Sequence, residues 1–430
     1  MTSKELLRRA LAVIPGGGQT DTKTPAFRLL GIQPSFFKKG RGTYAQDVDG
    51  DWWLDCQMGL AAYVLGYADK LVNEYVAKQS TTGSLFSLSS PLELEVAELL
   101  LEIFPEFEMV RFAKNGSDVT SAAIRIARYH TARDHVIGCG YHGFQDWSMA
   151  LRPEVGGIPA SVRQLTHGNE DVDLLDALTK LEAGAERYAA VIVDTGGYGL
   201  PDFALLRLLQ ERCRFNRVVF IMDEVVSGFR VGLRGTMGEC GIVPDLLCLG
   251  KAVANGFPLS VLMGAKHLMR LAPAAGMSST FGGDCIALAA AKATLEQLMN
   301  GEVNARIIAQ GTTLMQSIAS SLRRHKLEAR LRLVGYPALF DLTTVKDDIN
   351  RCRIIRNLMR ALAGHKIFWQ ESFVICRDFG AKESAVVAAA VDEALGQLST
   401  LLAEDKLEEA DQAVAREEQM YIDSITGGIQ

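Results

Sequence analysis

A chain of 430 residues is longer than one hydrophobic core accommodates, so a large and a small domain are expected. Hydrophobic residues make up 48% and charged residues 22%, a globular composition, and a net charge of -6 without a basic block argues against nucleic-acid binding. The first residues mix charges into the apolar pattern, unlike a secretory leader, and no stretch approaches the roughly 20 apolar residues of a bilayer span. The eight cysteines (Cys56, Cys139, Cys213, Cys240, Cys248, Cys285, Cys352 and Cys376) form no CxxC pair. Reduced thiols in a cytoplasmic protein are expected, rather than a disulfide framework or a zinc site.

Leu6, Leu7, Leu11 and Ile14 recur at helical spacing and predict a helix over 3–14, stopped by Pro15 and three glycines. Residues 19–40 read as loop. Alternation over 36–56 about Asp49-Gly50 predicts a hairpin in which Trp52 and Trp53 serve strand packing. Residues 59–66 form a Gly-bounded apolar loop or short element. Ser90, Pro91 and Glu93 stand at the cap, first and third positions of a helix over 91–103. From Val110 the pattern becomes α/β: a strand, a tight turn and a helix over 117–131. Apolar runs follow at 136–139, 189–194, 218–223, 246–249 and 260–264, with helical segments near 171–183 and 202–214. This alternation predicts a mostly parallel central sheet with helices on both faces. Helices over 285–300, 303–324, 349–364, 385–403 and 405–419, and a strand over 334–344, complete the chain. The expected organisation is a segment 1–58 packing with a small α/β domain 303–430, and a large domain 59–302.

Two of the apolar runs end in charge. Val218 to Met222 leads into Asp223 and Glu224, and Leu246 to Leu249 leads into Gly250-Lys251. In open α/β sheets the ligand crevice lies outside the carboxyl ends of the strands. Either residue alone reads equally as an exposed strand end. Together they make chemical sense: a lysine amine dried by apolar neighbours can form a Schiff base with an aldehyde, and a carboxylate can hold a pyridine nitrogen protonated. Asp223 and Val225 share one strand face, so Val225 can pack under a ring whose nitrogen meets the acid.

Three weaker motifs lie at other strand ends. Asn115-Gly116-Ser117-Asp118 joins a strand to a helix, whose N-terminus suits a phosphate, though the same tetrapeptide serves as a simple capping turn. In Gly140-Tyr141-His142-Gly143, Tyr141 can stack on a flat ring, and His142 alone reads as a polar loop residue. Ser279-Thr280-Phe281-Gly282-Gly283 is a polar turn able to hold phosphate or merely to cap.

The stretches VDGDWWLDC, RFAKNGSD, YHGFQDW, IMDEVVSGFR, PDLLCLGK and STFGGD resemble the class III (ornithine/ω-type) aminotransferases, near the glutamate-1-semialdehyde 2,1-aminomutase branch. The resemblance implies PLP fold type I, pyridoxal 5′-phosphate as cofactor and a homodimer. It implies Lys251 as the Schiff-base lysine and Asp223 as the partner of the pyridine nitrogen, both catalytic. It also implies Gly116 and Ser117 on the phosphate, Tyr141 on the ring, and Thr280 on the phosphate of the neighbouring subunit; His142 and Val225 are further candidate cofactor contacts. The chain departs from the branch at Thr20-Asp21-Thr22-Lys23 (usually SPVR-like), at KNGSDV (usually NSGTEA), at Asp194-Thr195 (usually Glu-Pro) and at Ala254-Asn255-Gly256 (usually GGG). Lys23, Arg28, Trp147 and Asn255 are candidate substrate contacts. The expected activity is amino transfer from a small-molecule donor to a carbonyl substrate through a lysine aldimine. An aminomutase or an amino-acid epimerase is the alternative, and a regulatory PLP-fold module or a nucleotide-binding oxidoreductase is disfavoured by the Asp223/Lys251 pair and the absence of GxGxxG.

Overall fold

The computed structural model describes residues 1–196, 201–345 and 348–426, in two units. One unit comprises residues 61–64 and 70–306, and the other 1–60, 65–69 and 307–430.

The first unit is built on a seven-stranded sheet: β1 (Met109–Ala113), β2 (His135–Cys139), β3 (Thr166–Asn169), β4 (Tyr188–Asp194), β5 (Val219–Glu224), β6 (Leu246–Leu249) and β7 (Ser260–Gly264). Their spatial order is β1-β7-β6-β5-β4-β2-β3, parallel except for β7, which runs antiparallel to both neighbours. Every residue of β4, β5, β6 and β7 is buried. That is why these strands appear in the sequence as unbroken apolar runs: helices cover both faces of the sheet, so no face needs polar alternation. Helix α1 (Gly116–Thr131) buries Val119, Ala123, Ile126 and Ala127 in a core with Ala190, Ile192, Ile221 and Leu262. Each large aliphatic side chain so buried contributes about 1.5–3 kcal/mol relative to exposure. Helices α2 (Leu174–Gly184) and α3 (Phe203–Phe215) connect strands as expected, and α4 (Cys285–Leu298) follows the sheet.

The second unit holds the hairpin predicted about Asp49-Gly50. Tyr44–Asp47 pairs antiparallel with Trp52–Asp55, with Ala45 opposite Trp53. The strand expected over 334–344 is instead two strands, Leu331–Tyr336 and Leu339–Thr344, folded back on each other at Pro337-Ala338. Proline cannot donate to a ladder, so a turn rather than a strand interior is its natural place. Residues 19–40, read as loop, contain two 3₁₀ turns, and the strand Phe37–Arg41 begins where that stretch overlaps the alternation over 36–56. One helix of this unit, Ala381–Ala403, is long and apolar enough by length and composition alone to cross a membrane. Its residues Val387, Val391, Leu395 and Leu398 are buried, as in a core helix.

Candidate active site

The site forms where β4, β5 and β6 end together. Asp223 and Glu224 are consecutive on β5 and therefore point to opposite faces. Asp223 is buried, and its Oδ2 lies 2.9 Å from Nδ1 of His142 while Oδ1 accepts the Val225 N–H at 3.2 Å. Glu224, fully buried on the other face, anchors the loop that follows. Its carboxylate accepts the N–H groups of Met237 at 2.7 Å and Thr236 at 2.8 Å and the Ser227 hydroxyl at 3.1 Å. Gly235 lies so close, with φ +59°, that any Cβ there would come within 1.8 Å of Glu224 Oε2. Burial pushes the Glu224 carboxyl up to about 7 despite those three donors.

Lys251 follows Gly250 at the end of β6, with a left-handed backbone (φ +41°). Burial lowers the basicity of its amine. The Asp194 carboxylate opposes that, the Arg230 guanidinium adds to it, and Asp223 opposes it again. Arg230 is fully buried and donates to the carbonyls of Ala61 at 2.8 Å and Tyr63 at 3.1 Å. Val225 sits between the phosphate-type turn and the lysine turn: a Cβ added at Gly116 would fall 2.8 Å from it, and one at Gly250 3.1 Å.

The N-terminus of α1 is braced by its own residues. Asp118 accepts the N–H groups of Asn115 at 2.8 Å and Lys114 at 3.2 Å. The Ser117 hydroxyl is buried and accepts the Phe144 N–H at 3.3 Å, and the Thr120 hydroxyl donates to the His142 carbonyl at 2.8 Å. These bonds draw loop 140–144 onto α1. Gly143 (φ +103°) makes that approach possible, because its Cβ would sit 2.2 Å from Ser117 Oγ. The loop leaves Tyr141 half exposed, with the Arg152 guanidinium 5.8 Å from its ring centroid. The Lys114 ammonium reaches Asp284 at 2.5 Å and the Pro258 carbonyl at 3.0 Å, which ties the phosphate-type turn to the start of α4.

The structure thus brings Gly116, Ser117, His142, Asp223, Val225 and Lys251 together, with Tyr141 at the edge. His142 is not the solvated loop residue its sequence context suggests. It is buried against Asp223, its ring stacks on Trp147 at 5.7 Å, and its Nε2 has no hydrogen-bond partner. Trp147, expected at the substrate, is instead buried behind His142, with its indole N–H on the Ser121 hydroxyl at 2.9 Å. Asn255, also expected at the substrate, is buried, and its amide oxygen accepts the Val64 N–H at 3.0 Å as a loop clamp. Lys23 and Arg28 belong to the other unit. There Lys23 is exposed, and Arg28 donates to the Ser35 carbonyl at 2.5 Å. Thr280 is exposed on the turn before α4. Sequence reasoning missed Asp194 and Arg230 as parts of the site. Asp194 ends an apolar run in an acid as Asp223 does, a signal that could have found it.

A family profile described as "Aminotransferase class-III" matches residues 31–361. The chain belongs to the class-III aminotransferase family. Among curated members, the glutamate-1-semialdehyde 2,1-aminomutase of Dechloromonas aromatica is 34% identical, over 78% of this chain and 83% of that protein. That of Chloroflexus aurantiacus is 35% identical, over 76% and 78% respectively. The FumI protein of Sphingopyxis sp. MTA144, solved in its PLP internal aldimine form, superposes with a TM-score of 0.85 over 93% of this chain and 97% of its own, at 24% identity. For a class-III member the three-layered helix–sheet–helix unit is PLP fold type I, and Asp223 and Lys251 stand at the ends of its adjacent strands β5 and β6.

Proposed function

We propose that this class-III aminotransferase transfers an amino group from a small-molecule donor to a carbonyl acceptor with pyridoxal 5′-phosphate. One observation carries the reading: a buried carboxylate, Asp223, held by His142, and a dried amine, Lys251, meet at adjacent strand ends beside a glycine turn that opens a helix. The donor set fits the cofactor. The α1 N-terminus and the Ser117 hydroxyl suit a phosphate. Val225, packed against Gly116 and Gly250, offers an apolar face for a ring, and Tyr141 offers a second aromatic face. Asp223 suits a protonated ring nitrogen, and Lys251 suits an aldehyde.

When bound, pyridoxal phosphate supplies an electron sink for charge developing at the substrate carbon. The chain supplies the rest. Burial keeps a neutral fraction of the Lys251 amine available, so it can take a proton from the substrate carbon and return it one atom away. His142 holds the Asp223 carboxylate in place, and Asp223 keeps the ring nitrogen protonated. Glu224 and Arg230 clamp the loop after β5.

A second reading is an aminomutase, in which the amine returns to the same molecule. The identity of 34–35% to curated aminomutases favours it. An epimerase would use the same lysine. The proposal includes a homodimer. Thr280 is exposed beside Phe281, and the Ser84 carbonyl, which accepts the Cys285 N–H at 2.8 Å, brings exposed Leu85, Phe86 and Leu88 to the same turn. A second copy covering this apolar surface would receive Thr280 at its phosphate. A cytoplasmic location is also part of the proposal, and eight free thiols are consistent with it.

Purified protein supplied with pyridoxal phosphate is expected to absorb visible light, and Lys251→Ala to lose both that band and turnover. Single-turnover assays with amino donors separate the two readings: a released keto acid marks transamination, an isomerised amine marks a mutase. Full transamination by Lys251→Ala would overturn the assignment.

A further inference from the structure

Behind Asp223, on the other face of the sheet, lies a buried chain of hydroxyls that the proposed chemistry does not use. Asp194 is the register partner of Asp223, so Thr195, one residue on, turns to the face of Glu224. Thr195, Ser227, Thr236 and Glu224 are all 0% exposed, so each hydroxyl finds its partner inside the protein. The Ser227 hydroxyl lies 3.1 Å from Glu224 Oε2 and 3.1 Å from the Thr195 hydroxyl. The Thr195 hydroxyl in turn lies 3.3 Å from the Asp223 carbonyl oxygen, which also accepts the Thr195 N–H at 3.2 Å. The Thr236 hydroxyl donates to the Thr195 carbonyl at 3.1 Å and takes no part in the chain. Gly196 lets this strand end close on the loop after β5, since a Cβ there would fall 2.6 Å from the Ser227 nitrogen.

A hydroxyl has one proton to donate. An ionised Glu224 only accepts: Ser227 then donates to Glu224, Thr195 donates to Ser227, and the Asp223 carbonyl keeps the Thr195 N–H alone. A Glu224 protonated on Oε2 donates to Ser227, Ser227 donates to Thr195, and Thr195 donates to the Asp223 carbonyl, which then has two donors. The same three oxygen–oxygen distances serve both arrangements, so the hydroxyls turn and no covalent bond changes. Burial raises the Glu224 carboxyl to about 7, so both arrangements occur around neutral pH. Among the described residues, the charged or titratable groups around Glu224 are Asp223 beside it on β5 and Cys240, a thiol that burial keeps neutral, at the end of the short helix Gly235–Cys240. Arg230, in the loop between, is turned to the carbonyls of Ala61 and Tyr63, and Arg207, from α3, to that of Cys240.

We infer that Thr195 and Ser227 are positioning residues for Asp223: they form a hydroxyl relay that adds a hydrogen bond to the Asp223 carbonyl when Glu224 is protonated and withdraws it when Glu224 is charged. The main chain that carries the site carboxylate is thus held by two donors in acid and by one in base. The effect on cofactor affinity rests on the reading proposed above; the relay itself does not.

The dipeptide Asp-Glu occurs twice in the chain, at 223–224 and at 392–393. Labelling aspartate carbonyls with carbon-13 and glutamate amides with nitrogen-15 therefore gives two correlated NMR signals, one at the relay and one on the helix Ala381–Ala403 as a control. In the cofactor-free protein the Asp223 carbonyl signal is expected to move downfield as pH falls through about 7, the sense of a gained hydrogen bond. Thr195→Val keeps the shape and the N–H but removes the hydroxyl, and Ser227→Ala cuts the chain in the middle. Both should shrink the step to what the charge of Glu224 produces directly, and Thr195→Ser should restore it. No step in wild type, or a full step in Thr195→Val, overturns the inference. In the cofactor-loaded protein, the ratio of the pyridoxal phosphate dissociation constants of Thr195→Val and wild type should be near one well above pH 7 and rise by up to about tenfold well below it, the most that one hydrogen bond supplies. A role confined to structure would lower the melting temperature and leave that ratio independent of pH, which overturns the positioning role. A protein that binds no pyridoxal phosphate would count against the cofactor reading alone, and the carbonyl signal would still decide the relay. Should Thr195→Val fail to fold, Ser227→Ala carries the same measurements.

Discussion

Nδ1 of His142 lies 2.9 Å from a buried oxygen of Asp223, while its other ring nitrogen is buried without a hydrogen-bond partner. The contact with the carboxylate makes Nδ1 the N–H donor. The imidazole therefore serves one purpose here, to hold an acid in a place where an unpaired charge would be expensive. His142→Ala leaves Asp223 without its partner. Breaking a buried pair from one side costs about 3–5 kcal/mol. Denaturant titration of the variant is expected to show a loss of that order, and calorimetry a weaker affinity for pyridoxal phosphate. A variant as stable as wild type, binding as tightly, would refute this account of the pair.

Gly143 permits the approach of loop 140–144 to the start of α1. Its positive φ and the 2.2 Å gap to Ser117 Oγ leave no room for a methyl group. Gly143→Ala is expected to cost about 1–3 kcal/mol of backbone strain, to push the loop off Ser117, and to weaken cofactor binding more than the loss of the Ser117 hydroxyl alone. Comparing cofactor dissociation constants for Gly143→Ala and Ser117→Ala checks the order.

Glu224 gives a pH signature. Its folded value, about 7, stands above the ordinary 4.5, so the fold favours the protonated form. The stability this contributes is present below pH 4.5 and is lost as pH rises through about 7. A shift of this size corresponds to at most about 3 kcal/mol. Asp194, pushed up to about 6, acts in the same direction, so the comparison has to be made between proteins. The stability difference between Glu224→Gln and wild type should drift in favour of the variant from pH 5 to pH 8. A difference independent of pH would show that Glu224 stays charged in the fold.

Asn255 combines a left-handed backbone (φ +43°) with its bond to the Val64 N–H. Asparagine adopts that conformation at a lower cost than alanine. Asn255→Ala is expected to lose about 1–3 kcal/mol of stability while leaving the relative kcat/KM among amino donors unchanged. A change in donor preference at unchanged stability would return Asn255 to the substrate.

The large sheet was legible because its strands are buried on both faces: AAVIVD and VFIMDE cannot be mistaken for surface alternation. The small edge strand Thr166–Asn169 was not, since a histidine, a glycine and an asparagine at a sheet edge carry no apolar signal. Pro337 was a turn marker passed over in favour of the apolar residues around it. At the site, Asp223 and Lys251 were visible as charges terminating apolar runs. Trp147 and Asn255 were read only as substrate candidates, and their packing went unseen, because a large aromatic and a polar amide near a site look the same in sequence whether they face a ligand or the protein. Their contacts with Ser121, His142 and Val64 come from the fold.

The strand that carries the glycine turn, β1, lies at the edge of the sheet and pairs with β7, whose residues come about 150 positions later in the chain. On the ribosome, β1 therefore waits as an open edge until residue 264 has emerged. Half of the pocket exists early and the other half arrives late. Capture of the vitamin is thus postponed until the large sheet is nearly whole, and for that interval the backbone edge of β1 has no strand beside it.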